Sequence, residues 1–92
     1  IYRGRSINSA ALRLKWRGNR GPVSRAAVVT ALTLDKRATV RNRVKRQIRE
    51  ILREVLPQLR SGTDLVVFAN KPAAGKTFLQ LKQELLSLLR QI

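Results

Sequence analysis

The sequence contains no cysteine and no histidine among its 92 residues. Disulfides, thiol nucleophiles, the usual zinc sites and histidine acid–base chemistry are therefore excluded. No apolar run approaches the length of a membrane span, and the first residues do not resemble a signal peptide. Methionine is also absent and the chain begins with Ile1, so we expect a trimmed or processed product.

Acidic residues are scarce as well, with five against 20 lysines and arginines, and the formal net charge is +15. The five carboxylates are scattered and form no obvious acid–base pair, and the serines and threonines lack a base partner. We therefore predict that the protein itself supplies no catalytic residue, no metal site and no bound cofactor. A charge of this size and sign concerns partners rather than fold, and it favours a nucleic acid over an anionic membrane surface.

The segment from Thr39 to Leu56 organises the rest of the chain. Its apolar residues recur at helical spacing and fall on one side of a helix; they are Val40, Val44, Ile48, Ile51, Leu52, Val55 and Leu56. In so small a domain this side must be buried against the core, which disfavours binding to a membrane. We expect Thr39 to be the N-cap of this helix and Pro57 to end it.

The same segment is strongly basic in its first half. Seven cations and no acid lie between Lys36 and Arg49, although the start of a helix normally attracts acids. A solvated face that only aids solubility would mix the two signs. We therefore interpret this surface as a site for RNA or DNA, made of Lys36, Arg37, Arg41, Asn42, Arg43, Lys45, Arg46 and Arg49.

Three further segments have strand patterns. Residues 9–17 alternate apolar and cationic side chains, residues 25–34 are β-branched and apolar, and residues 64–69 form a short buried run. We expect the first two to pair as an antiparallel hairpin, with the second as a central strand. A second helix over residues 77–92 begins with a capping box of Thr77 and Gln80.

This order of strands and helices predicts one α+β domain over residues 1–92. We expect a small two-layer sandwich, with both helices on one face of a short sheet. Phe68 and Phe78 are expected in the core because their neighbours are apolar, and Trp16 lies on the apolar side of its strand.

One loop could be mistaken for a nucleotide site. Residues 70–77 read NKPAAGKT between a strand and a helix, which is similar to a phosphate-binding Walker A loop. Asn70 stands where that loop needs glycine, and Pro72 lacks a backbone N–H that the loop would donate. We therefore expect an ordinary strand-to-helix connection.

The block Arg41-Asn42-Arg43-Val44-Lys45-Arg46-Gln47-Ile48-Arg49 resembles the signature of the protein subunit of bacterial ribonuclease P. That signature is Arg-Asn-Arg, one apolar residue, Lys-Arg, two more residues and then Arg. The resemblance extends over residues 25–92 and includes the strand at residues 64–69, the Pro-Ala-Ala loop and the leucine-rich last helix.

The resemblance implies a fold in which the basic helix crosses between two parallel strands, with a left-handed crossover against the usual rule. It also implies a cytoplasmic ribonucleoprotein that removes the 5′ leader from precursor tRNA. In that enzyme the RNA subunit carries out the hydrolysis with Mg²⁺. The basic helix would contact this RNA, and a neighbouring sheet face would receive the leader, with Arg13, Lys15 and Trp16 as contacts.

The chain departs from the family pattern in two ways. We expect that the helix that usually begins family members is missing, and Leu32-Thr33-Leu34 stands where the family often has cations before the basic helix. A non-catalytic RNA-binding or ribosome-associated module is therefore the alternative interpretation.

Overall fold

The computed structural model describes residues 5–58 and 62–91. The elements run β1 (Arg5–Asn8), β2 (Leu12–Gly18), β3 (Arg25–Thr30), α1 (Ala38–Val55), β4 (Thr63–Ala69) and α2 (Phe78–Leu89). Short 3₁₀ turns follow α1 at Leu56–Gln58 and β4 at Lys71–Gly75. The predicted elements are therefore all present, and β1 is an additional strand.

The four strands form one sheet in the order β1-β2-β4-β3. Strand β2 is antiparallel to both β1 and β4, and Leu14 lies opposite Val67 of β4. Strand β3 is parallel to β4, and Val28 lies opposite the same Val67. Helix α1 is thus the crossover between two neighbouring parallel strands, and the left-handed sense of that crossover stays a prediction.

The expected hairpin of residues 9–17 with residues 25–34 is wrong, because β4 lies between these two strands. Strand β4 buries every second residue, including Leu65 and Val67, so it takes the centre of the sheet. Strand β3 has no fully buried residue and occupies an edge. It also ends at Thr30, and Leu34 turns back into the core while Leu32 is 69% exposed.

Both helices pack on one face of the sheet. The core that they enclose contains the inward side chains of β2 and β4, the apolar face of α1 and three leucines of α2 (Leu81, Leu85 and Leu88). The α+β sandwich with helices on one face is therefore confirmed. Phe78 and Trp16 are half-buried against this core, as expected from their apolar neighbours.

Phe68 was expected in the core, and that expectation is wrong. It alternates with Leu65, Val67 and Ala69, which are buried beneath the helices, so its ring lies on the opposite face of the sheet. Asp64 provides the signal for this arrangement. A carboxylate avoids the core side, and Phe68 shares the strand parity of Asp64.

The two helix starts differ. Thr77 and Gln80 form the expected capping box, because each side chain accepts a hydrogen bond from the other residue's backbone N–H. Thr39 is not the N-cap of α1. That helix begins at Ala38 after Arg37, which supplies no side-chain cap. Asp35 instead accepts the backbone N–H of Arg37 at 2.8 Å and orders the entry to the helix.

Helix α2 is fastened to the turn between β1 and β2 through Glu84. Its carboxylate accepts hydrogen bonds from the hydroxyl of Ser9 and from the backbone N–H of Ala11, the latter at 2.9 Å. Lys76 lies 3.8 Å away on the other side. The Glu84 carboxylate therefore provides the hydrogen-bond acceptor for polar groups in the turn between β1 and β2. Strand β1 is the strand that the sequence patterns did not predict.

A second tight junction joins the loop after β2 to the start of β4. Asn19 donates its backbone N–H to the carbonyl of Gly62 at 2.7 Å. Gly62 has a φ of 76°, and a Cβ atom there would lie 2.5 Å from the carbonyl oxygen of Gly21. Only glycine fits this close approach without displacement of the backbone.

Candidate nucleic-acid interface

Helix α1 has its cations on the side turned away from the core. Its buried residues are Val44, Ile48, Ile51, Leu52 and Val55. The predicted nucleic-acid residues on α1 and just before it are exposed, except for Arg41 and Lys45, which are half-buried. The first turn of α1 contains no acid, so the positive end of the helix dipole adds to the charge of these side chains.

Three of these arginines are held by the protein. The Arg41 guanidinium donates to the backbone carbonyls of Asp35 at 2.8 Å and Lys36 at 2.9 Å. Arg37 forms a two-bond ion pair with the Asp35 carboxylate, with both distances 3.1 Å. Arg43 donates to the carbonyl of Ala74 in the 3₁₀ turn after β4.

The other cations of the helix surface point away from such partners. Within residues 5–58 and 62–91, no hydrogen bond or ion pair holds the side chain of Lys36, Lys45, Arg46 or Arg49. Their charged groups are available to phosphate oxygens. Arginine's planar fork suits paired contacts of this kind. The sequence pattern identified the basic stretch but could not separate these residues from Arg37, Arg41 and Arg43.

Asp35 is the carboxylate that pairs with Arg37 at the start of this basic surface. Hydrogen bonds from the Arg37 side chain, and then from its backbone N–H, lower the pKa of Asp35 from 3.8 to about 2. The charges of Arg37 and Arg41 act in the same direction. Asp35 therefore stays ionised under ordinary conditions and fixes the loop that leads into α1.

A second cationic surface lies on the open face of the sheet, on the side opposite the helices. Arg13 and Lys15 of β2 lie on it, and Phe68 of β4 is the partner of Arg13 in the strand register. The Lys15 Nζ atom is 5.6 Å from the centroid of the Phe68 ring, which is within cation–π range. We call Arg13, Lys15 and Phe68 the open-face cluster.

The three predicted leader contacts do not all lie on the same face of the sheet. Arg13 and Lys15 share the open face, whereas Trp16 has the strand parity of Leu12 and Leu14 and packs against the core. Phe68 was missed because its apolar neighbours favoured burial. Phe68, which is half-buried, is the aromatic residue beside Arg13 and Lys15 on this face.

The other end of the open face has a carboxylate among its cations. Asp64 accepts two hydrogen bonds from the Arg25 guanidinium, each 3.0 Å long, and one from Asn19 at 2.8 Å, and Arg17 lies 4.0 Å away. These bonds, with that of Arg25 the strongest, hold the pKa of Asp64 below its ordinary value. Asp64 therefore offsets the charge of Arg25, whereas no carboxylate of the described residues pairs with Arg13 or Lys15.

The loop similar to a Walker A motif connects β4 to α2 and contacts the basic helix. Its 3₁₀ turn buries Ala73, and the carbonyl of Ala74 accepts a hydrogen bond from Arg43 of the basic helix.

In the described parts of the chain, no group of three or more acids lies close enough to hold a metal ion. Over the same residues, no helix is long and apolar enough to span a membrane.

The fold and its two cationic surfaces define a small α+β nucleic-acid-binding domain. The chain belongs to the ribonuclease P protein family, because the family model described as Ribonuclease P matches residues 1–92. The resemblance of the Arg41–Arg49 block to that family is thereby confirmed.

Relatives in sequence and structure agree with this assignment. The ribonuclease P protein component of Xylella fastidiosa is 40% identical over 89 residues, which are 97% of this chain and 64% of that protein. That of a Cyanothece species is 43% identical over 67 residues, 73% of this chain and 51% of that protein. The chain thus spans about half to two thirds of the length of these relatives.

The solved structures of ribonuclease P proteins have the same fold. The Thermotoga maritima protein has a TM-score of 0.86 at 30% identity, and the match covers 97% of this chain and 84% of that one. The Staphylococcus aureus protein has a TM-score of 0.82 at 27% identity, with 95% and 79% covered.

Proposed function

We propose that this chain acts as the protein subunit of ribonuclease P. In this role it binds the catalytic RNA and assists the endonucleolytic removal of the 5′ leader from precursor tRNA in the cytoplasm. The observation that carries the proposal is the basic helix, in which the complete family signature ends in free, exposed arginines. Hydrolysis is assigned to the RNA subunit, which would hold the Mg²⁺ ions.

The contacts of the basic helix support two different roles for its cations, one in RNA binding and one in holding the neighbouring loops. Arg46, Arg49 and Lys36 have free charged groups and would contact RNA phosphates. Arg41 and Arg43 are hydrogen-bonded to loop carbonyls and would hold the two loops beside the helix. Release of counterions from the RNA would then follow chiefly from the first group.

The open-face cluster is the proposed contact for the leader. A single-stranded nucleotide can stack on the Phe68 ring while Arg13 and Lys15 neutralise the flanking phosphates. The cluster and the basic helix lie on opposite sides of the sheet, so the catalytic RNA and the leader would occupy separate surfaces. Trp16 is not part of this proposal, because it packs against the core.

Reconstitution with a bacterial ribonuclease P RNA at low magnesium tests the function. We expect the protein to increase cleavage of precursor tRNA, and no increase would refute the proposal. Tight, salt-sensitive RNA binding without such an increase would instead support a non-catalytic RNA-binding module. The apolar Leu32, which is exposed before the basic helix, is the observation in favour of that alternative.

The variant Phe68→Leu tests the leader contact separately. Stacking of one base on an aromatic ring contributes about 1–3 kcal/mol, so we expect about a tenfold loss of preference for precursor over mature tRNA. Affinity for the RNA subunit should not change, because the ring lies on the face opposite the basic helix. Phe78→Leu is the matched control, since that ring packs against the core.

A further inference from the structure

A groove of about 450 Å³ runs between the outer edge of β3 and the last turns of α1. It is lined by Ala26, Ala27, Val28, Arg49, Leu52, Arg53 and Leu56. Ala26 and Val28 turn toward the helices and Ala27 toward the open face, so the groove follows the strand edge itself. We call it the β3–α1 groove.

The strand edge that forms one wall is free. Strand β3 is last in the sheet order and pairs only with β4 among the described residues. Its outer backbone N–H and C=O groups therefore form an incomplete hydrogen-bonding ladder. Edge strands are usually protected by charge, proline or a bulge, but the only charged residue of β3 is Arg25, whose guanidinium is bound to Asp64.

The other wall combines apolar and positive groups. Leu52 and Leu56 form its apolar part. Arg49 and Arg53 line the same groove; Arg53 is 76% exposed at the side chain and is bonded to Glu50 at 3.0 Å. A ligand that fits these walls needs a backbone that can extend the sheet. On its helix-facing side it also needs apolar side chains and negative charge beside the arginines.

These requirements decide between three classes of occupant. The lining residues include no aromatic ring on which a base could stack, and a nucleic acid has no backbone that continues a β-ladder. A second copy of this chain also carries a net charge of +15, and edge-to-edge pairing would bring the groove arginines of both copies together. An extended acidic segment of another protein satisfies all three requirements.

We propose that the β3–α1 groove binds an extended segment of a partner protein whose helix-facing positions, every second residue, include both apolar and acidic side chains. The segment adds to the sheet as a fifth strand beside β3. Its apolar side chains contact Val28 and Leu52, and its carboxylates contact Arg49 and Arg53. This interaction does not depend on the proposed processing of tRNA, although Arg49 lines the groove and also belongs to the basic helix surface.

The test uses the full chain and a six-residue peptide, as long as β3. Threonine occupies every second position of this peptide, and valine and glutamate share the positions between, so that they face the same side. We expect NMR amide shifts centred on residues 26–28 and 52–56, with slower hydrogen exchange at the outer amides of β3. A peptide of the same composition, reordered so that valine and glutamate fall on opposite faces, is the control. It should bind about fivefold more weakly, because its apolar and acidic side chains cannot both face α1.

The variant Arg53→Glu should weaken binding of the peptide with valine and glutamate on one face about fivefold, as expected for an exposed ion pair that is reversed. Arg90→Glu, with the same change of charge outside the groove, should have no effect. Affinity for ribonuclease P RNA should be equal in the two variants, which separates this proposal from the function above. Equal binding of both peptides, stronger shifts of the groove amides by an RNA oligonucleotide, or self-association through β3 would each overturn the proposal.

Discussion

Arg41 and Arg46 belong to the same basic helix, and the structure predicts opposite consequences when each is changed to glutamine. Arg41 donates two hydrogen bonds to loop carbonyls, whereas Arg46 is exposed and held by no residue in the described part of the chain. Both substitutions remove one positive charge from α1. A difference between them therefore reports position and contacts rather than net charge.

Arg46→Gln should act on RNA binding alone. One phosphate contact contributes roughly 0.7–0.9 to the slope of log affinity against log salt concentration, so the slope should fall by about that amount. The free energy of unfolding should change by less than about 0.5 kcal/mol, as for most surface substitutions.

Arg41→Gln should act chiefly on stability. Glutamine is too short to reach the carbonyls of Asp35 and Lys36, and loss of hydrogen bonds from a charged donor at this half-buried site should cost about 1–3 kcal/mol. The salt slope should be nearly unchanged. Urea unfolding and fluorescence anisotropy against labelled ribonuclease P RNA at several salt concentrations measure the two quantities. If Arg41→Gln lowers the slope as much as Arg46→Gln and leaves stability intact, the assignment of Arg41 to the loop is refuted.

Three further predictions concern the supports of the fold. Glu84→Ala leaves the N–H of Ala11 without its acceptor and should lower the free energy of unfolding by about 1–3 kcal/mol. Glu54→Ala, which removes a partly exposed ion pair with Lys82 at 2.7 Å, should lower it by less than about 1 kcal/mol in the same urea titration. Gly62→Ala should cost at least about 1 kcal/mol, because it combines a positive φ with a backbone clash; a neutral result in thermal unfolding would contradict the described junction. Asp35→Asn should be less stable than the parent above pH 3.8, and acid titration should show this gap disappear as the pH falls to about 2, because the lowered pKa of Asp35 stabilises only the ionised form.

The helices could be predicted from the sequence because their signals are local. The period of α1 and the capping box of α2 lie within a few turns, and both agree with the structure. Pairing of the strands depends on contacts distant in sequence. A period-two pattern identified β2, β-branched apolar content identified β3 and a short buried run identified β4. Nothing in these patterns indicated that β4 lies between the other two. Strand β1 reads RSIN and has a single apolar residue, which is too little for a strand pattern.

The binding surface shows a similar limit. Charge patterning located the basic helix, and strand alternation located Arg13 and Lys15. The sequence could not show that Arg41 and Arg43 are bound to carbonyls, because their partners belong to loops whose course depends on the whole fold. The position of Phe68 on the open face could have been predicted, because Phe68 shares the strand parity of Asp64, a carboxylate that avoids the core. The apolar neighbours of Phe68 led instead to the prediction that its ring is buried.

The central position of β4 also determines when the sheet can form during synthesis. Arg25 and Asp64 are in register although they are 39 residues apart in the chain. The β1–β2 hairpin can close early, but β2 and β3 have no common partner until residues 63–69 have left the ribosome. Such non-local pairing slows folding. Until then β3 is an unpaired apolar segment, and we expect the charge of Arg25 at its first position to oppose premature association with other nascent chains.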